Sequence, residues 1–269
     1  MVARIGKAIL WIFVGVLLIL AVAPFILMLV SSLQETTKLT FFITPESFTF
    51  SNYVKLFTVQ GFGSAMITSL SVVIIACLLN IAVCSLAAYG FAFKRFPGSE
   101  ALFWVYLATM MIPAQVTMIP MFIMFREMGI LGSTFALAIP VVNAFGVFLI
   151  RQFMYSIPSS LLDAAKIDGA SDFRVFRAII LPLIRSVLVA LTVFTFLTTW
   201  NDFMWPLISL TSDDTRTVTL AVSQMTGAFE VQYGMVMAGT TIAFLVPFLA
   251  YVFLQRQFVE GVTSSGIKG

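Results

Sequence analysis

The sequence contains no histidine, few charged residues and only two cysteines, and each shortage excludes a class of function. Charged residues make up 10% of the 269 positions, whereas a soluble domain carries about 25%. Apolar residues make up 60%, and the mean hydropathy is +1.05. Twelve acidic and fifteen basic residues cannot cover a soluble globule of this size, so most of the surface faces lipid. Soluble enzymes, disordered proteins and secreted disulfide scaffolds are therefore excluded.

The missing residue types also limit the chemistry. Without histidine the chain has neither imidazole metal sites nor histidine-based acid–base catalysis. Cys77 and Cys84 lie in one apolar stretch, about 10 Å apart along a helix, which is too far for a disulfide. We interpret both as small buried hydrophobic residues. The sequence has no G-x-x-x-x-G-K-[ST] motif and hence no phosphate-binding P-loop of its own. We predict no catalytic residue, no metal site and no cofactor bound by this chain.

Six apolar segments are long enough to cross a membrane, since a crossing helix needs about 20 mostly apolar residues. The predicted fold is all-α, a single transmembrane domain over 1–269. Pro113 and Pro120 are expected to break or end the third helix. The predicted segments are TM1 about 8–30, TM2 about 62–93, TM3 about 101–120, TM4 about 132–151, a loop about 152–185, TM5 about 186–210, TM6 about 232–255 and a tail, 256–269.

The distribution of lysine and arginine predicts the orientation of these helices. With both termini in the cytoplasm, eleven basic residues lie on the cytoplasmic side and four lie outside. This excess follows the positive-inside rule. The formal net charge of +3 and the pI near 9.0 follow from the same asymmetry, so they do not indicate nucleic-acid binding.

The longest predicted cytoplasmic segment is the loop between the fourth and fifth helices. Pro158 ends the preceding structure, and Ser160 with Asp163 resembles a capping box, which predicts a helix of about ten residues. Gly169 follows where a left-handed terminating residue is expected. At helical spacing one face is predicted to carry four residues, Leu161, Ala164, Ala165 and Asp168. The two alanines would leave room for the backbone of a partner.

This loop resembles the coupling loop of importer-type ATP-binding-cassette permeases. The family signature runs E-A-A, three residues, G, nine residues, I-x-L-P, and every spacing agrees here. The matching positions are Asp163, Ala164, Ala165, Gly169, Ile179, Leu181 and Pro182. The one departure is Asp163, which stands where the family has Glu.

Three further stretches resemble the sugar permeases similar to the second membrane subunit of the maltose importer. They are AAYGFAFKRFPG, TTWNDFMWPLISL and QRQFVEGVTSSGIKG, and the likeness covers nearly the whole chain. The resemblance implies a carbohydrate-uptake permease of the bacterial inner membrane. Related permeases carry other small solutes such as glycerol phosphodiesters, and that alternative stays open.

The resemblance also implies a set of partners. Such a subunit pairs with a second homologous permease subunit, two ATPase subunits that bind ATP and Mg²⁺, and an extracytoplasmic solute-binding protein, within membrane lipid and without nucleic acid. The residues implied to contact an ATPase subunit are Asp163, Ala164, Ala165, Asp168 and Gly169. The outer segment 211–230 is implied to enter the binding protein, and the C-terminal tail is predicted to extend along the ATPase interface.

Polar residues inside the apolar segments admit two interpretations. Asn80 and Asn143 are expected to form hydrogen bonds between helices. Asn201 and Asp202 either line the solute pathway or stabilise the packing, because an acid inside a membrane helix usually faces a cavity or a partner.

Three other functional classes fit the sequence less well. A stand-alone secondary transporter would need intramembrane charges for ion coupling, and Asp202 is the one candidate in the sequence. A non-transporting scaffold would not need the coupling-loop spacing. An enzyme fits least, because no nucleophile–base pair is visible in the sequence.

Overall fold

The computed structural model describes residues 2–39, 41–42, 47–94, 96–210, 215–226 and 231–263, and within them the fold is helical. In those ranges one isolated antiparallel bridge, between Gln34 and Phe48, is the only β-type pairing. The prediction of an all-α protein is therefore confirmed.

Fourteen α-helical segments are labelled here in chain order, over the described part of the chain. They are α1 Val2–Ser32, α2 Ser51–Thr58, α3 Phe62–Phe93, α4 Ser99–Ala108, α5 Ala114–Glu127, α6 Thr134–Ala138, α7 Ala144–Met154, α8 Ser159–Ile167, α9 Asp172–Val175, α10 Leu181–Leu183, α11 Arg185–Trp200, α12 Met204–Ser209, α13 Val218–Met225 and α14 Tyr233–Thr263. Short 3-10 turns, Thr109–Met111 and Ile139–Val141, follow α4 and α6, and a π-helical turn, Phe176–Ile180, joins α9 to α10.

The chain divides into two compact units, and the first consists of Met1–Ala65 and Val218–Val246. In this unit Asn52 is buried and its amide donates hydrogen bonds to two carbonyl oxygens at the end of α1, those of Ser32 (2.9 Å) and Gln34 (2.7 Å). These bonds satisfy carbonyl groups that a helix end leaves unpaired. The backbone N–H of Gly234, at the start of α14, donates to the Thr36 carbonyl oxygen at 3.0 Å.

The second unit consists of Met66–Thr217 and Pro247–Gly269 and holds two apolar cores. The larger core contains Phe103, Ile150 and Phe176, together with Leu162 and Ala165 of α8. The smaller core forms around Met118, Phe125 and Trp205. Because α8 contributes to the larger core, the loop helix is packed on the same unit as the helices that follow it.

A polar cluster joins α3 and α11 inside the second unit. The Asn80 amide donates to Thr195 Oγ1 at 2.8 Å, and Cys84 Sγ donates to Asn80 Oδ1 at 2.7 Å. The prediction of an interhelical bond by Asn80 is confirmed. Asn143 instead caps its own helix α7, where Oδ1 accepts the N–H of Phe145 (3.0 Å) and Gly146, so the interhelical role predicted for it is wrong. Both cysteines are free, Cys84 buried and Cys77 half-buried.

Several helices are long and apolar enough to cross a membrane. Three qualify alone, Ile9–Ser32, Phe62–Phe93 and Tyr233–Phe253. Three bent pairs qualify together, so up to six spans fit by length and composition. The pairs bend by 101° between Met111 and Ala114, by 47° between Val141 and Ala144, and by 75° between Leu183 and Arg185.

Of the two prolines predicted to interrupt the third span, only Pro113 does so. Ile112 and Pro113 are both extended, as the crowding of a proline ring against the preceding residue favours, and the 101° bend lies there. The break expected at Pro120 is wrong, because α5 continues through it. Pro120 has no N–H to donate to the Val116 carbonyl oxygen, so the helix loses one backbone hydrogen bond there without ending.

The segment predicted as one span over 186–210 is interrupted near its end. Helix α11 stops at Trp200, and α12 begins at Met204. Asn201 Nδ2 donates to the Leu197 carbonyl oxygen at 2.8 Å, and Asp202 Oδ1 accepts the Trp205 N–H at 3.4 Å. Short polar side chains that bond to nearby backbone compete with the helical hydrogen bonds, which explains the break.

Candidate functional site

The loop helix α8 begins directly after a proline. Pro158 occupies the N-cap position in an extended conformation, and its carbonyl oxygen accepts the Leu161 N–H at 3.2 Å. Ser159 is already the first helical residue, so the Ser160 hydroxyl lies within the first turn and cannot serve as an N-cap acceptor. Within the described residues, no side chain caps this helix start. The capping box predicted from Ser160 and Asp163 is therefore wrong.

The end of α8 has a Schellman motif. Gly169 has φ +74°, in the left-handed region, as the sequence predicts. Its N–H donates to the Lys166 carbonyl oxygen at 3.0 Å, and the Ala170 N–H donates to the Ala165 carbonyl oxygen at 3.0 Å. These two bonds satisfy carbonyl groups at the helix end and turn the chain sharply into α9.

The two faces of α8 differ in what they contact. Leu162 and Ala165 are buried, each 7% exposed, and pack in the larger core of the second unit. The prediction that Ala165 shares an open face with Leu161 and Ala164 is wrong, because Ala165 faces its own chain. The exposed residues of the helix and its C-terminal cap are Ser159, Ser160, Leu161, Asp163, Ala164, Lys166, Ile167 and Asp168. Among them Ile167 is 87% exposed, which is unusual for an isoleucine that packs only within its own chain.

The segment after Gly169 connects α8 firmly to the membrane helices. The Ser171 hydroxyl accepts the Arg174 N–H and caps α9. Asp172 forms an ion pair with Lys94 at the end of α3. The Phe176 ring packs against Tyr89 of α3, with centroids 5.3 Å apart. Phe173 is a second exposed apolar residue of this segment.

Arg151 holds the helices near the loop together through its buried guanidinium. The sequence identified it only as one of the basic residues on the cytoplasmic side. It is 5% exposed, and its guanidinium lies 3.7 Å from the centroid of the Phe103 ring. One Nη donates to Glu100 Oε2 at 2.7 Å, and Nε donates to the Phe91 carbonyl oxygen at 3.4 Å. A charge this buried is stable only when paired. No local pattern identifies the site, since Glu100 is 51 residues away.

A cavity of about 610 Å³ lies in the second unit, at the break between α11 and α12. Its apolar wall includes Met118, Met121 and Phe194. Its polar lining consists of Gln115, Thr117, Asn143, Thr198, Thr199 and Asp202. The Trp205 indole N–H donates to the Ala136 carbonyl oxygen at 2.9 Å and holds α12 against α6 at the cavity wall.

The structure separates the two residues predicted for the solute pathway. Asp202 lines the cavity, whereas Asn201 is not among the lining residues and its amide bonds to its own helix. Thr199 was not predicted, yet its Oγ1 is the one buried side-chain oxygen or nitrogen of the described residues without a hydrogen-bond partner. Leaving such a group unpaired costs about 1–3 kcal/mol. Thr199 is one of the lining residues, but this unpaired oxygen is buried and does not face the cavity space.

Two predicted contact regions fall partly or wholly outside the described residues. The outer segment 211–230 includes 211–214 and 227–230, which are not described, and the tail beyond Thr263 is not described either.

The chain matches a family of known proteins and is similar in sequence to several of its relatives. Residues 81–264 match the family described as binding-protein-dependent transport system inner membrane component. The lactose transport system permease of Rhizobium radiobacter is 35% identical over 91% of this chain and 91% of its own length. The arabinooligosaccharides permease of Halalkalibacterium halodurans is 29% identical over 93% and 92%. The sn-glycerol-3-phosphate permease of Salmonella typhi is 35% identical over 69% and 67%.

A solved structure has the same fold. A chain from the crystal structure of a bacterial ABC transporter involved in the import of the acidic polysaccharide alginate superposes with a TM-score of 0.83, at 21% identity, over 95% of this chain and 97% of that one.

Proposed function

We propose, from the premise that this chain belongs to the family of binding-protein-dependent transport system inner membrane components, that it couples ATP hydrolysis to solute import through α8. In this proposal the chain is a permease subunit with six membrane spans and both termini in the cytoplasm, and it forms half of the translocation pathway. The bent helix pairs and the excess of basic residues on one side support that topology.

The observation that carries the proposal is the divided surface of α8. One face is buried in the chain's own core through Leu162 and Ala165, so the helix is firmly attached. The remainder of the helix exposes Ile167 and Leu161 beside acidic residues. An isolated helix of nine residues is marginal in water, and much of the surface of this one is open to a partner. A cytoplasmic ATPase subunit is the partner that this surface fits.

The roles of the residues implied by the coupling signature follow from their placement. Asp163, Ala164 and Asp168 lie on the exposed face and contact the ATPase subunit. Ala165 attaches the helix to its own core, and Gly169 sets the direction in which the chain leaves it. The partners are a second permease subunit, two ATPase subunits that bind ATP and Mg²⁺, and an external solute-binding protein. An alginate importer has been crystallised with a periplasmic protein bound to an alginate pentasaccharide, which supports the last of these.

The proposed solute is a sugar or an oligosaccharide. The lactose and arabinooligosaccharide permeases align with more than nine-tenths of this chain. The sn-glycerol-3-phosphate permease aligns with 69% and supports the alternative, a small phosphorylated solute.

The experiment that tests the coupling role removes one apolar contact. Ile167→Asp should weaken binding of the ATPase subunit about 10- to 100-fold, because burying an isoleucine contributes about 1.5–3 kcal/mol. Copurification of the ATPase subunit and ATP hydrolysis by the reconstituted complex measure the loss. Ser156→Asp places the same charge at an exposed turn before α8 and is the matched control. Equal ATPase binding and equal hydrolysis in both variants would contradict the proposal.

A further inference from the structure

Three exposed arginines lie around the bend that leads into α11. Arg174 and Arg177 belong to the segment Asp172–Leu183, and Arg185 is the first residue of α11. Over the described residues, none of the three guanidinium groups has a hydrogen-bond or ion-pair partner. Their positive charge is therefore available to an anion from outside the chain.

We infer that Arg174, Arg177 and Arg185 bind the headgroup phosphates of anionic phospholipids in the cytoplasmic leaflet of the membrane. The inference rests on the topology of the proposed function, which places this segment on the cytoplasmic side, and it names a lipid partner for a surface outside α8. Its basis is the juxtaposition of three unpaired guanidinium groups with the point where an apolar span begins.

The angle of the segment relative to α11 places the arginines at the level of the lipid headgroups. After Arg185, α11 has no charged residue as far as Trp200, so the part that spans the hydrocarbon begins at this arginine. The segment meets α11 at 75°, and its twelve residues extend about 18 Å, so its depth changes by about 5 Å along the axis of α11. The headgroup layer on each side of a bilayer is about 5–8 Å thick. The segment therefore runs along this layer, and a tilt of α11 by about 20° adds a change that the long arginine side chains can bridge.

The composition of the segment fits a phospholipid. A guanidinium group donates to phosphate oxygens through two parallel N–H groups. The carboxylate of Asp172 is already paired with Lys94, so it does not cancel the charge of the arginines. Phe173 and Leu183 are 66% and 45% exposed, and apolar side chains beside arginines are typical of helices that lie in the membrane interface. A phospholipid meets both requirements, since its phosphate pairs with the arginines and its acyl chains contact the apolar side chains.

The sign of its charge separates this segment from the exposed surface of α8. On α8 and its cap, Asp163 and Asp168 are exposed on either side of Lys166, so acidic residues predominate there. The segment after it instead presents arginines. The two surfaces therefore suit different partners, a protein at α8 and an anionic lipid at the bend. Contact of the arginines with an ATPase subunit is the competing explanation, and the experiment separates the two.

Photolabelling of the assembled importer in proteoliposomes tests the inference. The probes are phosphatidylglycerol and phosphatidylcholine with the same diazirine in one acyl chain, each added as a trace to phosphatidylcholine vesicles. Digestion with chymotrypsin, which does not cut at arginine, and mass spectrometry then measure labelling of the segment. We expect phosphatidylglycerol to label it more than phosphatidylcholine does. The ratio of the two should fall about 5- to 25-fold in Arg174→Gln with Arg177→Gln, because each arginine near the lipid surface contributes about fivefold.

Two further double variants serve as controls. Lys38→Gln with Arg126→Gln removes the same charge from exposed positions that lie on the opposite side of the membrane in the proposed topology, so the labelling ratio at the segment should not change. Arg174→Lys with Arg177→Lys keeps the charge and should retain most of the preference for phosphatidylglycerol. All four positions are exposed, so these substitutions leave the packed cores unaltered.

Each other outcome overturns the inference. Equal labelling by the two lipids in the unmodified chain would show that the segment does not select anionic headgroups. A ratio that Arg174→Gln with Arg177→Gln leaves unchanged would show that the arginines do not set it, and loss of ATPase-subunit copurification together with such a ratio would assign them to that subunit. These results contradict this inference alone, whereas failure of the unmodified chain to copurify with an ATPase subunit contradicts the proposed function.

Discussion

Replacing Gly169 with alanine should lower stimulated ATP hydrolysis and solute uptake together without displacing the chain from the membrane. Gly169 has φ +74°, and a Cβ built there meets no atom within 4 Å. The effect of Gly169→Ala is therefore confined to the backbone, with no steric clash to complicate it. An L-residue in the left-handed region costs about 1–2 kcal/mol.

That strain can be relieved only at the expense of the Schellman motif. To leave the left-handed region the chain must break the bonds from Gly169 N–H to Lys166 and from Ala170 N–H to Ala165, both 3.0 Å long. Their loss would release α9 from its set direction relative to α8. If the engaged orientation becomes less favourable by about 1–2 kcal/mol, its population relative to the disengaged one falls about 5- to 30-fold. We expect stimulated ATP hydrolysis and uptake to fall by the same factor.

The chain supplies a matched control for this prediction. Gly98 has φ +78°, and a Cβ placed there also meets no atom within 4 Å, yet this residue lies before α4 and not at α8. Gly98→Ala therefore has the same backbone cost without altering the coupling segment. Gly169→Asn should recover part of the activity, since asparagine tolerates the left-handed region better than alanine.

The assay is ATP hydrolysis by the purified, reconstituted complex, with and without its solute-binding protein, alongside solute uptake. The thermal stability of both glycine variants should drop by similar amounts, so a fall of stimulated hydrolysis and uptake in Gly169→Ala alone isolates the geometry at the end of α8. Full stimulation and uptake in Gly169→Ala, or equal losses in Gly98→Ala, would refute the reasoning.

Three further predictions concern stability, each measured as the thermal unfolding temperature of detergent-purified protein. Gly234→Ala should strongly lower the unfolding temperature, because its Cβ would clash with the Gln34 backbone oxygen; Gly15→Ala, with nothing within 4 Å, is the control, and equal unfolding temperatures would contradict this. Arg151→Lys should destabilise by about 1–3 kcal/mol through loss of stacking on Phe103, and an unchanged unfolding temperature would show that the charge alone suffices. Thr199→Val should be neutral or stabilising, since it removes a buried unpaired hydroxyl, and a clear loss of stability would reveal a hidden partner.

Features encoded within a few residues could be predicted from the sequence. The apolar segments, the proline break at Pro113 and the left-handed Gly169 all depend on local composition or on a single residue's conformational limits. The existence of α8 is predictable for the same reason. Its N-cap is not, because Pro158 and the two serines after it offer competing starts, and the extended proline moves the start to Ser159.

Features that depend on distant contacts could not be predicted. In α8, apolar residues occur on every side, so periodicity does not identify the buried face, and the packing partner of Ala165 is decided by the tertiary core. Arg151 and Glu100 meet only after the fold forms. Adjacent Asn201 and Asp202 suggest one shared role, yet a break in the helix sends one side chain to its own backbone and places the other at the cavity.

Helix α11 explains how the coupling surface and the cavity could act together in the proposed function. The segment from Asp172 to Leu183 follows α8 directly and meets α11 at a 75° bend, and α11 ends at the break beside Asp202. Sixteen helical residues extend about 24 Å, so a tilt of about 10° at one end displaces the other by about 4 Å. A displacement of that size is enough to make or break hydrogen bonds at the cavity wall, since these bonds are lost beyond about 3.5 Å. In the proposed function α11 would therefore transmit motion between two changes of chain direction, the 75° bend between Leu183 and Arg185 at one end and the polar break after Trp200 at the other.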